Sequence, residues 1–154
     1  MPVPEFIRDL RRKIGHDLLW LPGVTAVVLR DHQVLLVRRA DNLAWTLVTG
    51  IVEPGENPAE VAVREVWEEA RVRCRIEALV RVAAGAPMVH ANGDHAQYLD
   101  HTFECRYLDG QAEVGDDESV EVGWFDLDAL PDLGPEQHER LQAVLDHTGA
   151  VRFG

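Results

Sequence analysis

Cysteine is almost absent. The 154-residue chain carries only Cys74 and Cys105, with no CxxC spacing and no histidines at zinc-finger intervals. That excludes a structural zinc module. It leaves two reduced thiols on strands, with a disulfide between them as the alternative. Positive charge is also scarce: 15 Lys and Arg stand against 27 Asp and Glu, a formal net charge of −12. Bulk electrostatics therefore disfavour nucleic acid and anionic membrane as partners. No apolar run approaches the ~20 residues needed to span a bilayer. The stretch from Met1 to Lys13 lacks the apolar core of a signal peptide, so a cytoplasmic protein is expected. Internal repeats and low-complexity tracts are missing as well.

What is present is an ordinary globular composition, 46% apolar and 27% charged. The length suits one domain, 1–154, with an N-terminal helical extension over 1–22. In the extension Phe6, Ile7, Leu10 and Ile14 recur at helical spacing between Arg8, Arg11, Arg12 and Lys13. This predicts a basic amphipathic helix packed on its own domain. Leu18 to Pro22 then forms an apolar connector. Val24–Leu29 and Val34–Val37 predict a hairpin turning at Arg30–Gln33. Trp45–Val52 predicts a strand interrupted at Gly50. Further strands are expected over Arg73–Ala84, Gln97–Tyr107 and Val120–Phe125. A polar loop fills Pro87–His95 and an acidic loop Gly115–Ser119. Asp126–Leu130 suggests a short helical turn, and Pro135 opens a last helix with Leu141, Val144 and Leu145 on one face. Strands interleaved with three helices indicate a mixed α/β (α+β) domain.

The central helix, Pro58 to Ala70, carries the densest chemistry. Asn57 suits its N-cap, Pro58 its first position, and Glu60 the far side of a capping box. On a helical wheel Ala59, Ala62, Val63, Val66 and Ala70 form a core-facing stripe. Glu65, Glu68 and Glu69 cluster on another arc, related by i, i+3 and i+4. Three neighbouring carboxylates repel, and a hard divalent cation, Mg²⁺ or Mn²⁺, relieves that repulsion better than a proton. Arg64, four residues before Glu68, can orient its carboxylate. Gly50, just upstream, lets backbone carbonyls approach a ligand or metal closely.

The spacing Gly50-x5-Glu56-x7-Arg64-Glu65-Val66-x-Glu68-Glu69, ending at Val72, resembles the signature of the Nudix hydrolase family. The stretch reads GIVEPGENPAEVAVREVWEEARV. The flanks are similar too, with LLVRR before it and Trp124-Phe125 after the acidic loop. Two positions depart from the pattern. Arg71 stands where the family has glycine, a helix C-cap where left-handed backbone is common. Val48-Thr49 replaces the usual Pro-Gly, so that LVTGIVEPGE looks like the variant in ADP-ribose pyrophosphatases.

The resemblance implies a Nudix-like α/β/α sandwich, with a mixed sheet and the box helix against it. It implies metal-dependent hydrolysis of a diphosphate linkage in a nucleoside diphosphate derivative, ADP-ribose-like or a nucleoside triphosphate. The alternative is a catalytically weak or inactive nucleotide-binding regulator. Metal ligation is expected from Glu65, Glu68 and Glu69, the Thr49 carbonyl, and Glu56 through its loop or a bound water. Glu65 and Glu68 are the expected catalytic side chains on the helix. For the base, Asp116, Asp117, Glu118 and Glu121 compete, with Glu118 favoured. Arg38, Arg39, Gly50 and Trp45 are the substrate-binding candidates, Trp45 being either a stacking platform or a core aromatic. His90, Asn92, Asp94 and His95 sit in a loop of the kind that shapes pockets. Tyr98, Asp100, Thr102 and Glu104 share one strand face, expected to meet solvent. The basic helix and Leu18–Leu21 suggest a homodimer interface.

Overall fold

The computed structural model describes residues 3–154, so Met1 and Pro2 of the extension lie outside the described residues. Its elements run α1 (Glu5–Ile14), β1 (Leu19–Arg30), β2 (Gln33–Arg39), β3 (Trp45–Thr46), β4 (Val48–Ile51), α2 (Pro58–Ala70) and β5 (Arg73–Ala84). There follow β6 (Met88–Val89), β7 (His95–Asp109), β8 (Ser119–Asp126), α3 (Pro135–Leu145) and β9 (Arg152–Phe153).

The strands join in one mixed sheet with the order β3-β2-β1-β7-β5-β9. β1 and β7 are parallel, while β5 and β7 are antiparallel. β4 also pairs with β1, β6 with β7, and β8 with β2. Strand alternation divides the core in two. Val24, Ala26 and Val28 of β1 and Leu35 and Val37 of β2 point to α2. Val27, Val34 and Leu36 point the other way, to Leu141, Ala143 and Val144 of α3. Helices on both faces make the mixed α/β/α sandwich that the sequence led us to expect. Each fully buried valine at these contacts, Val61 and Val66 of α2 among them, contributes roughly 1.5–3 kcal/mol.

Several boundaries differ from expectation. The connector Leu18–Pro22 is mostly strand, because Leu19 to Leu29 pair in parallel with Ala96 to Arg106. The segment Trp45–Val52 breaks at Leu47, not at Gly50. There the chain leaves β2 for β1, and the Leu47 N–H donates instead to Gln137 Oε1 of α3 at 3.0 Å. The capping box does not form: Asn57 is at the N-cap, but its side chain caps nothing and meets Glu60 at 3.5 Å. Asp126–Leu130 is a turn rather than a helix, and β6 and β9 were not foreseen. Both cysteines are free and buried.

α1 does pack on its own domain. Ile7 is buried, and Arg11 donates to the carbonyls of Gly15, Asp17 and His95 at 3.2, 2.5 and 2.7 Å. Asp94 pairs with Arg11 and with His16. The polar loop thus anchors the extension through Asp94. Among the described residues no helix is long and apolar enough to cross a membrane.

Candidate active site on the box helix

α2 differs from its helical wheel in one decisive way. Glu65 and Glu69 are buried along with Ala62, Val66 and Ala70 of the apolar stripe and with Val61, while Ala59 and Val63 are only half-buried. β4 lies against the Glu65 side chain, and the segment before β8 is bonded to the backbone at Glu69. Gly50 makes the first contact possible: a Cβ there would lie 2.5 Å from Glu65 Cγ and 2.8 Å from its Cδ. The glycine is therefore a cradle for one carboxyl group.

That carboxyl group is exceptional. Glu65 is 1% exposed, and among the described residues neither of its oxygens has a hydrogen-bond partner. Among the described residues the cation paired with it is Arg64, at 3.5 Å. Burial, with Glu68 adding like charge, pushes the Glu65 pKa from 4.5 up to about 7. Burial and the neighbouring Glu65 push Glu69 up as well, to about 8, with Asp116 adding to the rise and Arg39 opposing it. Buried carboxylates are ordinarily hydrogen-bonded or paired. A buried carboxylate held as Glu65 is, beside a second and with Glu68 at the rim, forms a donor set that suits a hard divalent cation. Among the described residues no three acidic, imidazole or thiol side chains already stand close enough to hold one. Glu68, the third carboxylate of the arc, is half exposed at the rim.

Arg64 is the hub of this face. It donates to Glu56 Oε2 and lies 3.5 Å from both Glu65 and Glu68. Glu56 spends its other oxygen on the Glu53 N–H at 3.0 Å. Glu56 therefore ties the loop before α2 to the helix, with both oxygens engaged by protein. Thr49, in β4, pairs with Thr25 of β1 and sits directly before the Gly50 cradle.

Alternation separates the two arginines of β2. Arg39 lies on the α2 side, where Glu69 and Tyr98 feel its charge; it binds Asp41 through two contacts at 2.9 and 2.6 Å. Arg38 points away and donates to Glu121 at 2.7 Å and to the Leu43 carbonyl. Trp45 packs edge-on against Phe125, centroids 4.7 Å apart, in the core beneath α3. So Glu65, Glu68, Glu69, Arg64, Gly50 and Arg39 converge, while Arg38, Glu121 and Trp45 do not join them.

The acidic loop reaches the helix end. The Gly115 N–H donates to the Glu69 carbonyl at 2.9 Å, and the Glu118 N–H donates to Asp116 Oδ1 at 3.1 Å. The Ala40 N–H bonds the Glu118 carbonyl at 2.8 Å, linking this loop to the turn after Arg39. Sequence reasoning counted Asp116 only among four competing bases, though it is the loop acid whose charge reaches Glu69, and gave Gly115 no role. The only signal was a glycine immediately before the acidic run.

The face expected to meet solvent does not. Asp100 is 4% exposed and Thr102 fully buried. Asp100 accepts from Thr25 at 2.7 Å and Thr102 at 2.6 Å, and pairs with buried Arg140 of α3 at 3.5 Å.

Comparison with known proteins agrees with this geometry. The model of the NUDIX domain matches residues 19–145. The chain belongs to the Nudix family. It is 34% identical over 129 residues to a MutT-like protein of Streptomyces ambofaciens, covering 82% of this chain and 78% of that one. It is 32% identical over 115 residues to the putative ADP-ribose pyrophosphatase YjhB of Bacillus subtilis, covering 75% of this chain. This chain spans only 54% of that relative's length. Among solved structures, an ADP-ribose pyrophosphatase from Streptococcus suis superposes with a TM-score of 0.69 at 25% identity, over 87% of this chain and 98% of that one.

Proposed function

We propose that this chain is a divalent-metal-dependent diphosphatase acting on a nucleoside diphosphate linked to a further group. The carrying observation is the Glu65 carboxyl, buried against Gly50 with both oxygens lacking a hydrogen-bond partner among the described residues. Glu65, Glu68 and Glu69 would hold the cation, with the Thr49 carbonyl beside them. Bound there, Mg²⁺ or Mn²⁺ screens phosphate charge and acidifies water.

The chain's own residues supply the rest. Arg64 keeps the glutamate side chains apart and oriented, with Glu56 fixing Arg64 in turn. Arg39, on the same face as Glu69, is placed to receive a phosphate oxygen in exchange for Asp41. Glu118, on the loop tied to the helix end, takes the proton of the attacking water. An ADP-ribose-like substrate is favoured over a nucleoside triphosphate by the LVTGIVEPGE stretch and by the names of two similar proteins, the Bacillus subtilis and Streptococcus suis ones.

Glu69→Gln tests this reading. Outer-shell partners of metal ligands already cost 10–100-fold when lost, so turnover of ADP-ribose with Mg²⁺ should fall at least about 100-fold. The circular dichroism spectrum should be unchanged. Undiminished turnover would remove the helix from the chemistry. Product mass spectrometry in ¹⁸O-water, over ADP-ribose, sugar nucleotides and nucleoside triphosphates, identifies the substrate and the phosphorus attacked.

A further inference from the structure

α2 ends on Arg71 in left-handed backbone, φ 55° and ψ 30°, with its N–H bonded to the Trp67 carbonyl at 3.0 Å. A glycine or asparagine adopts that conformation with less strain. The arginine side chain, however, does what neither can. Its guanidinium donates to the Gly115 carbonyl at 3.0 Å and leans over the Trp67 ring at 5.3 Å. The segment before β8 is bonded to the same helix end. The Glu113 N–H donates to the Ala70 carbonyl at 3.1 Å and the Gly115 N–H to the Glu69 carbonyl at 2.9 Å. Gly115 is thus held at both of its backbone polar groups. It is pressed so close that a Cβ would collide with the Glu68 carbonyl. Asp116 and Glu118 follow directly.

We infer that Arg71 is a positioning residue: its side chain staples the acidic loop 113–118 to the C-terminus of the box helix, and so sets where Asp116 and Glu118 stand relative to Glu69. The cap strain at position 71 is kept because the side chain that causes it makes the staple. The catalytic consequence rests on the proposed function; the staple itself does not.

The test compares Arg71→Gly, Arg71→Asn and Arg71→Lys with the unaltered chain. The first readout is amide hydrogen exchange of 113–118 in metal-free protein. Losing one such bond should speed exchange about two- to tenfold in the Gly and Asn variants. The second readout is steady-state kinetics. kcat should fall about tenfold or more, as for residues that orient an active group, with KM nearly constant. Arg71→Lys, which keeps a long donor, should recover part of both. Loop exchange and kcat both unchanged in Arg71→Gly, with a higher melting temperature, would show a strained cap and nothing more. Faster exchange without loss of kcat overturns the positioning role, and so does loss of kcat without faster exchange. If the unaltered chain hydrolyses no diphosphate, the functional reading fails, yet the exchange experiment still decides whether Arg71 holds the loop.

Discussion

Two acidic side chains are buried on opposite faces of the same sheet, and they are kept in opposite ways. Asp100, facing α3, receives two hydroxyl hydrogen bonds and faces the Arg140 guanidinium. Glu65, facing β4, receives none among the described residues, and the Arg64 guanidinium stands off at 3.5 Å. Burial alone therefore does not mark a functional acid. A carboxylate with its partners in place braces the fold, here fastening α3 to β1 and β7. One held without them stores a cost that a ligand can relieve. The same distinction sorts the glutamates around Arg64: Glu56, in the loop before α2, is fully engaged by that loop and Arg64, while Glu65 is not.

The sharpest way to break this comparison is to remove the well-partnered acid. Asp100→Ala leaves Arg140 charged and buried without its main partner. We expect about 3–5 kcal/mol of lost stability in urea unfolding, with residual activity of the folded fraction near normal. A loss below about 1 kcal/mol, the range of a surface pair, would mean Asp100 is not the brace described.

The next effect is in pH. The Glu65 pKa is raised from 4.5 to about 7, and that of Glu69 to about 8. Below pH 4.5 both groups are protonated whether the chain is folded or not. As pH rises the unfolded chain ionises first, so folding takes up protons and stability falls up to about pH 8. For Glu65 the decline is on the order of 3 kcal/mol in metal-free protein. Denaturation in EDTA from pH 5 to 8.5 should show it, Glu65→Gln should flatten it, and Mg²⁺ should restore stability at the alkaline end. An identical pH slope in wild type and Glu65→Gln would contradict the raised pKa.

A smaller effect probes the cradle. Gly50→Ala drives a methyl into Glu65 Cγ, and overpacking of this kind costs about 1–3 kcal/mol. Gly23→Ala is the control, since its Cβ would meet Tyr98 at an ordinary 3.4 Å. Equal melting temperatures for the two variants would show that Gly50 is not shaped around Glu65.

Much of the fold was legible because it follows from short-range regularities. Continuous aliphatic runs marked β1 and β2, strand-like patterns marked β5 and the middle of β7, and Pro58 with Asn57 marked the start of α2. What failed depended on partners distant in the chain. Leu18–Pro22 gave no strand pattern of its own, yet β7 draws it into the sheet. Leu47 became the break because Gln137, far along the chain, accepts its N–H. Trp45 and Arg38 were plausible substrate contacts by type, but the strand's pleat aims them at α3 and Glu121.

The sequence by itself determined the family, the reaction class it implies and the helix that carries it. Residue type and spacing along one helix are local properties, and Glu65, Glu68 and Glu69 fall on one arc whatever surrounds them. Only the tertiary structure decided which glutamate lacks partners, which arginine shares the face of Glu69, and what Arg71 touches. Those depend on desolvation and on contacts between segments far apart in the chain. Burial raises the cost of a charge only once β4 has packed over it, and no spacing along the chain encodes that packing.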